Sequence, residues 1–258
     1  MDITKAFIKA KQPCADGFRW YVRNARQDSS YQELLDALVA DGRVNDAGWL
    51  LDQFGPTDAV LTLDHVNAEA LVFAGTIRVR GGIEAGSLVR AGRDIHAGGG
   101  ITCGGAIVAG GDIKCGASLR AEGKLQAGGL IQAEWNIETG AELACEALRA
   151  GGGIDAAQRL QAGHGIECGA DVRAGGHLGA GWGIKARGDI LAEGSIRAGE
   201  SLAAEGRIQA GDGYGVYAGV EVCEHAWESS ARVHANRPPR ELRSGWWAGP
   251  LPGLGQAA

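Results

Sequence analysis

The sequence predicts a mainly β protein, a single-stranded parallel β-helix of hexapeptide repeats with an N-terminal α-helical cap. Large aliphatic residues, here called anchors, recur every six positions between residues 71 and 222, as in Ile77, Ile83 and Val89, with one residue skipped after Leu143. Such a period is typical of solenoids, whose repeats bury their apolar sides against one another. The chain has 44 glycines and only 6 prolines, and it lacks the Gly-X-Y period of collagen.

The repeat unit reads aliphatic–x–small–Gly–x–x, as in residues 83–86 (IEAG). The residue between the anchor and the small residue is mostly polar, which is the in-out-in alternation of a short strand. We expect the glycine to adopt a positive φ and turn the chain at a corner. With three sides per coil, the 25 hexads predict about eight coils and a rod on the order of 40 Å long. A charged residue at a buried anchor such as Ile113 should severely destabilise the rod.

The repeat divides the chain into three predicted segments: a helical N-terminal module (1–56), the parallel β-helix (57–222), and a C-terminal cap with an irregular tail (223–258). Ser30 and Glu33 match a capping box, and Gly42 follows the apolar stretch where a helix end is expected. Residues 47–54 predict a second helix. The tail is expected to be irregular because it is rich in proline and glycine.

Charge and hydropathy limit the range of partners. The formal net charge is −6, and no segment of the chain is strongly basic. Because proteins that bind nucleic acid through its phosphates normally carry a Lys/Arg stripe, we expect no direct nucleic-acid partner. A mildly acidic surface suits a basic protein partner. The sequence shows no leader-like apolar segment and no membrane-length apolar run, which predicts a cytoplasmic protein without a membrane partner.

No pattern in the sequence indicates catalysis, a metal or a cofactor. Cys103, Cys115, Cys145 and Cys168 take the place of the inward small residue, so we expect buried free thiols. Only Cys115 and Cys168 share a side, roughly 14 Å apart, whereas a disulfide needs Cα atoms within about 7 Å. No Ser/His/Asp set, carboxylate pair or zinc-ligand spacing is present. We therefore expect a binding protein, not an enzyme, with no catalytic residue, metal or cofactor.

Aromatic residues at corners are the best candidates for partner contact. Trp135 and Trp182 lie two places before an anchor, where a side chain should face solvent, and tryptophan is enriched in interface hot spots. The alternative is that they pack against the helices or the tail. Glu134 and Glu205 replace glycine on one edge of the rod, so with Trp135 and Glu138 they could form an acidic, aromatic-centred patch, or they could be solvated surface charges. The residues predicted to contact a partner are Glu134, Trp135, Glu138, Trp182, Glu205, Trp246 and Trp247.

Two protein families share features with this chain. The hexad core resembles the bactofilins, bacterial cytoskeletal proteins whose β-helices polymerise end to end. Residues 13–22 (PCADGFRWYV) and 48–52 (GWLLD) are similar to a helical module of proteins encoded beside secreted bacterial toxins. Joined to a Gly/Ala-rich β-helix, this module resembles an immunity protein of a type VI secretion nuclease effector. That resemblance implies a cytoplasmic monomer or small oligomer that binds a cognate toxin and occludes or distorts its active site.

A hexapeptide acyltransferase is a third possibility, with His96, His164 or His177 as the base. In that family the small residue lies two places before the aliphatic one, whereas here it lies two places after, and the long loop that usually carries the catalytic histidine is missing. The sequence therefore favours a toxin-binding immunity protein, with a bactofilin-like scaffold as the alternative.

Overall fold

Four helices precede the β-helix. The computed structural model describes residues 5–25 and 29–251 of the 258. Within them, none of the helices is both long and apolar enough to cross a membrane. The N-terminal helices are α1 (Lys5–Ala10), α2 (Ala15–Asn24), α3 (Tyr31–Ala40) and α4 (Val44–Phe54).

The helix boundaries follow from local capping. The predicted capping box is confirmed, because the Ser30 hydroxyl accepts a hydrogen bond from the Glu33 amide while the Glu33 carboxylate accepts one from the Ser30 amide. Gly42 follows α3 with a φ of 71°, a conformation that favours glycine. The second predicted helix is present, but α4 begins three residues earlier than expected, with Asp46 in its first turn. A carboxylate there interacts favourably with the helix dipole.

Short parallel strands make up most of the remaining described chain, with a 3-10 turn (Glu224–Ala226) and α5 (Trp227–Ser230) between two late strands. The strands are β1 (Val60–Leu63), β2 (Val66–Phe73), β3 (Thr76–Val79), β4 (Ile83–Ala91), β5 (Ile95–Ala97), β6 (Ile101–Cys103), β7 (Ala106–Ala109), β8 (Ile113–Cys115), β9 (Leu119–Ala121), β10 (Leu125–Ala127), β11 (Leu130–Ala133), β12 (Ile137–Thr139), β13 (Leu143–Cys145), β14 (Ala147–Ala150), β15 (Ile154–Ala156), β16 (Leu160–Ala162), β17 (Ile166–Cys168), β18 (Val172–Ala174), β19 (Leu178–Ala180), β20 (Ile184–Ala186), β21 (Ile190–Ala192), β22 (Ile196–Ala198), β23 (Leu202–Ala204), β24 (Ile208–Gln209), β25 (Val216–Tyr217), β26 (Arg232–His234), β27 (Leu242–Ser244) and β28 (Trp246–Gly249).

These strands form a three-sided parallel β-helix, which confirms the predicted fold class. Face A is an 11-stranded sheet that starts at β1 and ends at β28. Faces B and C belong to one 17-stranded sheet, because β2 and β4 run around the corner that the two faces share. Anchors stack on anchors, as in Ile77 beside Ile95 and Ile95 beside Ile113. The chain passes from face A to face B to face C, so the corners are named the A–B, B–C and C–A edges.

The β-helix has about eleven coils, not the eight predicted from the hexads. Eight strands of face A lie within the repeat, and β1, β26 and β28 extend the face beyond it. With a strand spacing of about 4.8 Å the rod is about 50 Å long. The hexad spacing does not reach the C-terminal coils because the long segments 218–231 and 235–241 precede β26 and β27. It does not reach β1 because Leu61 pairs with Ile77, 16 residues away, whereas paired anchors such as Ile77 and Ile95 are 18 residues apart.

The prediction that residues 223–258 form a cap with an irregular tail is therefore wrong for much of that segment, since β26, β27 and β28 continue the parallel stacking. The last two expected anchors are also wrong. Tyr214 and Val220 are 46% and 52% exposed, and Val216, which pairs with Ile196, takes the inward place. The turn containing Gly213, whose φ is 80°, lengthens this part of the coil and shifts the hexad register.

The axis of the rod is filled by the anchors and the small residues beside them. From Ile77 to Ile208 the anchors are between 0 and 3% exposed. The helices pack on β2 through a separate apolar cluster that includes Leu35, Leu51 and Val72. The Gln32 side chain supports this contact by donating to the carbonyl of Val72 and accepting from the amide of Ala74. The helical module is thus attached to the first coil by both apolar contacts and hydrogen bonds.

The repeat glycines serve close packing between coils and not left-handed turns. Gly110, for example, does not adopt a positive φ, contrary to the expectation from the sequence. A Cβ at this position would lie 2.2 Å from the carbonyl oxygen of Gly92 in the preceding coil. At this corner the absence of a side chain allows the two backbones to stack this closely.

Aspartates at corners hold successive coils together. One Asp94 carboxylate oxygen accepts from the Asp112 amide at 2.9 Å, and Asp112 Oδ1 accepts from the Leu130 amide at 2.8 Å. Desolvation acts to raise the pKa of Asp112, but hydrogen bonds from Lys114 and the Leu130 amide lower it overall. Asp171 and Asp189 make the same contact at the A–B edge, where they accept from the amides of Asp189 and Arg207 in the next coil. Part of the acidic excess is therefore structural.

Candidate partner-binding surface

The filled interior places any binding function on the outside of the rod or on its helical module. On face A, the residue that follows each inward anchor points outward, and the register lines these residues up along the axis. The outward row consists of Thr62, Arg78, His96, Lys114, Gln132, Arg149, Glu167, Lys185, Ala203 and His234. Four of these residues are Lys or Arg and one is Glu, so the row is basic although the whole chain is acidic.

Sequence reasoning missed this basic row. Arg78, Lys114, Arg149 and Lys185 lie two coils apart from one another, about 9.6 Å along the axis, so they are far apart in the chain and no segment is basic. Tabulating the outward position of every third hexad would have revealed the row. Face A thus differs from the mildly acidic surface that the composition predicts.

Two adjoining grooves run along face A and together form what we call the face A trough. The first, of about 580 Å³, is lined by Arg78, Arg80, His96 and Lys114, and the second, of about 500 Å³, by Arg149, Glu167, Lys185 and Arg187. Both grooves are also lined by Gln132 and Glu134, where they meet. The trough therefore carries six Lys or Arg side chains and two Glu side chains.

Several of the Lys and Arg side chains in the trough form no ion pair within the described residues. Arg149 pairs with Glu167 at 3.2 Å, and Lys114 pairs with Asp112 at 2.7 Å. Within the described residues, no carboxylate lies within 4.0 Å of Arg78, Lys185 or Arg187. Their charges face solvent or a partner.

Trp135 and Trp182 lie on the two edges that border face A. Trp135, at the A–B edge after β11, is 66% exposed, and Trp182, at the C–A edge before β20, is 53% exposed. The alternative that they pack on the helices or the tail is therefore wrong. Trp182 stacks on His164 with ring centroids 4.3 Å apart, and His164 Nε2 lies 3.6 Å from a carboxylate oxygen of Glu146. The two indoles are three strands apart, about 14 Å along the axis.

The other predicted contact residues do not form one acidic patch. Glu138 points outward from face B, where its carboxylate lies 3.4 Å from the Arg120 guanidinium. Glu205 is on the same edge as Glu134 but four strands further along, about 19 Å away. Glu134 lines the basic trough instead. The acidic, aromatic-centred patch is therefore wrong, because basic side chains of neighbouring coils surround its centre.

Trp246 and Trp247 lie in β28, at the C-terminal end of face A. Trp246 is 48% exposed, whereas Trp247 is half-buried and packs against the core, in register with Val233. Trp247 thus helps to close the end of the rod. Whether Trp246 contacts a partner stays a prediction.

The histidines and cysteines do not come together in a common site. His96 lies on face A, His164 on the C–A edge, and His177 on the B–C edge, where its Nδ1 accepts from the Ser195 amide at 3.0 Å. Cys103, Cys115 and Cys168 are buried free thiols, as predicted, and burial raises the pKa of each. Cys145 is half-buried, and burial raises its pKa to about 12. Among the described residues no group of three or more His, Cys, Asp or Glu could hold a metal ion.

Comparison with known proteins finds a match for the helical module alone. Residues 1–54 match the model of a family described as the YdhT N-terminal domain. The match includes α1 to α4 and covers 54 of the 258 residues, so the β-helix lies outside it. Neither a curated protein nor a solved structure matches the chain.

Proposed function

We propose that this chain is a cytoplasmic immunity protein that binds a cognate secreted bacterial toxin, specifically a type VI secretion nuclease effector, and neutralises it. The observation that carries the proposal is the basic trough on face A, together with an exposed tryptophan on each of the two edges that border this face. Trp and Arg are the residue types that contribute most to protein–protein interface hot spots. The helical module supports the proposal through its resemblance to modules encoded beside toxins.

The scaffold suits tight binding of a folded protein. Each coil is hydrogen-bonded to the next and the anchors fill the axis, so the backbone of the trough loses little conformational freedom when a partner binds. The role we assign is binding and not catalysis. Neutralisation would follow from occlusion of the toxin's active site or from distortion of its fold.

The test uses the toxin candidate encoded next to this gene. Purified chain and toxin should form a stable complex of defined stoichiometry in size-exclusion chromatography with light scattering. Addition of the chain should abolish the nuclease activity, and its expression should restore growth to cells that express the toxin. Trp182→Ala should reduce protection, whereas Tyr214→Ala, which changes an exposed aromatic residue beside His177 on the B–C edge and away from face A, is the matched control. Full nuclease activity in the presence of excess chain would refute the proposal.

A bactofilin-like scaffold is the second candidate, because the ends of face A are open. In the described part of the chain, β1 pairs only with β3, and β28 pairs only with β26. An unpaired edge can accept a strand of another molecule. Electron microscopy of the purified chain distinguishes the two functions: the immunity proposal expects a monomer or small oligomer, and filaments in plain buffer would favour the scaffold.

A further inference from the structure

We infer that the face A trough is the surface on which the partner docks, and that the partner presents a carboxylate-rich protein surface to it. The inference deepens the proposed function and rests on it for the statement that the partner is a toxin. The partner charge that we infer is opposite to the one that composition suggests, since an acidic chain would ordinarily be matched with a basic partner.

The arrangement of charge supports an acidic partner. Lys185 and Arg187 are exposed, lie two residues apart and line the trough without a carboxylate within 4.0 Å in the described structure. Arg78, at the other end of the trough, also has no carboxylate within 4.0 Å in the described structure. The pair between Arg149 and Glu167 is largely exposed, and exposed pairs of this kind are weak, so Arg149 can exchange its partner on binding. A complementary surface needs carboxylates along this line.

The tryptophans define the part of the trough where contact should be closest. Trp135 follows Glu134, which lines both grooves, and Trp182 lies on the opposite edge of face A, just before β20, the strand that carries Lys185. The backbone of Trp135 is held by hydrogen bonds to Ala117 and Gly152 in the adjacent coils. Large aromatic groups at the edges of a face that carries unpaired cations can exclude water from the ion pairs formed on binding, which strengthens those pairs.

A nucleic acid fits the trough less well than an acidic protein. Glu134 and Glu167 lie within the trough and would repel a phosphate backbone. The cations of the outward row recur about every 9.6 Å, whereas phosphates of one duplex strand advance about 3.4 Å along the helix axis. Carboxylates on a folded surface have no such regular spacing to satisfy. A nuclease that binds a divalent cation through carboxylates offers one cluster of this kind.

The test compares two double charge reversals that change the composition equally. Lys185→Glu/Arg187→Glu alters the trough, and Lys124→Glu/Arg159→Glu alters exposed residues on the B–C edge, which are also free of ion pairs in the described structure. Fluorescence anisotropy at 50 mM salt measures binding to three labelled probes: the toxin, poly-L-glutamate of about 50 residues, and a 20-nucleotide oligo-dT. Circular dichroism melting checks that each variant is folded.

We expect the trough variant to bind the toxin at least tenfold more weakly than the native chain, and the B–C edge variant to bind within twofold of it. Raising the salt to 500 mM should also weaken native binding at least tenfold. Equal toxin binding by both variants would overturn the inference and leave the proposed function intact. Binding of poly-L-glutamate in this pattern without toxin binding would support the inference and overturn the toxin assignment. Tighter binding of oligo-dT than of poly-L-glutamate, or no binding of any probe, would overturn the inference.

Discussion

Truncation of a central anchor measures how strongly the narrow core stabilises the rod. Ile113 is fully buried in β8 and stacks between Ile95 and Ile131, which are also fully buried. Ile113→Ala removes three carbon atoms, worth about 2.4 kcal/mol at about 0.8 kcal/mol each. The hydrogen-bonded coils above and below limit collapse, so the remaining cavity should add about 1–2 kcal/mol. We expect a total loss of about 3–4 kcal/mol in the free energy of unfolding.

Urea denaturation followed by far-ultraviolet circular dichroism and by tryptophan fluorescence measures this loss. Two probes are needed because repeat proteins can unfold in more than one step. Arg78→Ala, an exposed change on the same face, is the control and should cost less than about 0.5 kcal/mol. A loss below about 1 kcal/mol for Ile113→Ala would refute the reasoning, because it would mean that the coils close around the missing side chain.

Three further predictions follow from the surface, the corners and the thiols. Trp182→Ala should weaken toxin binding at least tenfold in a titration while changing the free energy of unfolding by less than about 1 kcal/mol; a large loss of stability with unchanged binding would contradict its role. Because the folded-state pKa of Asp112 is lowered, its contribution is present above the unfolded pKa and is lost as pH falls through the folded value. Asp112→Asn should therefore destabilise the chain at pH 7, by at most about 1 kcal/mol because solvent screens the Lys114 pair, and urea midpoints of variant and native chain should converge near pH 2; an equal difference at both pH values would contradict this. A disulfide reagent should modify the exposed Cys14 and Cys223 rapidly in the native chain and the buried Cys103, Cys115 and Cys168 only after unfolding; rapid reaction of these three thiols in the native chain would contradict their burial.

Sequence periodicity predicts the core of the rod better than it predicts where the rod begins and ends. Within the repeat, each anchor from Ile77 to Ile208 was placed correctly, since the axis admits a large apolar side chain only at that position. Beyond it, Val233 and Trp247 occupy the same inward place, but connecting segments of unequal length separate them. Parallel pairing depends on which residues meet in space and not on the number of residues between them, so these coils leave no period in the sequence.

The candidate surface likewise combines features that the sequence predicts with features that it does not. The exposure of Trp135 and Trp182 could be predicted from their corner positions, because a corner residue two places before an anchor cannot point inward. The trough could not be predicted from local composition, because Arg78 and Lys185 are brought onto one face only by six successive pairings along face A. Glu134 illustrates the same point, because its neighbours in the chain suggest an acidic patch whereas its neighbours in space are basic.

The sequence by itself determined the solenoid, its inward residues, the capped helix at Ser30 and the solvent exposure of the corner tryptophans, since each depends on side-chain alternation or capping within a few residues. Only the tertiary structure decided the eleven coils, the close-packing role of the repeat glycines and the basic character of face A. These features arise between coils, where the hydrogen-bonded register joins residues that are distant in the chain, and a charge count along the sequence averages over all three faces at once.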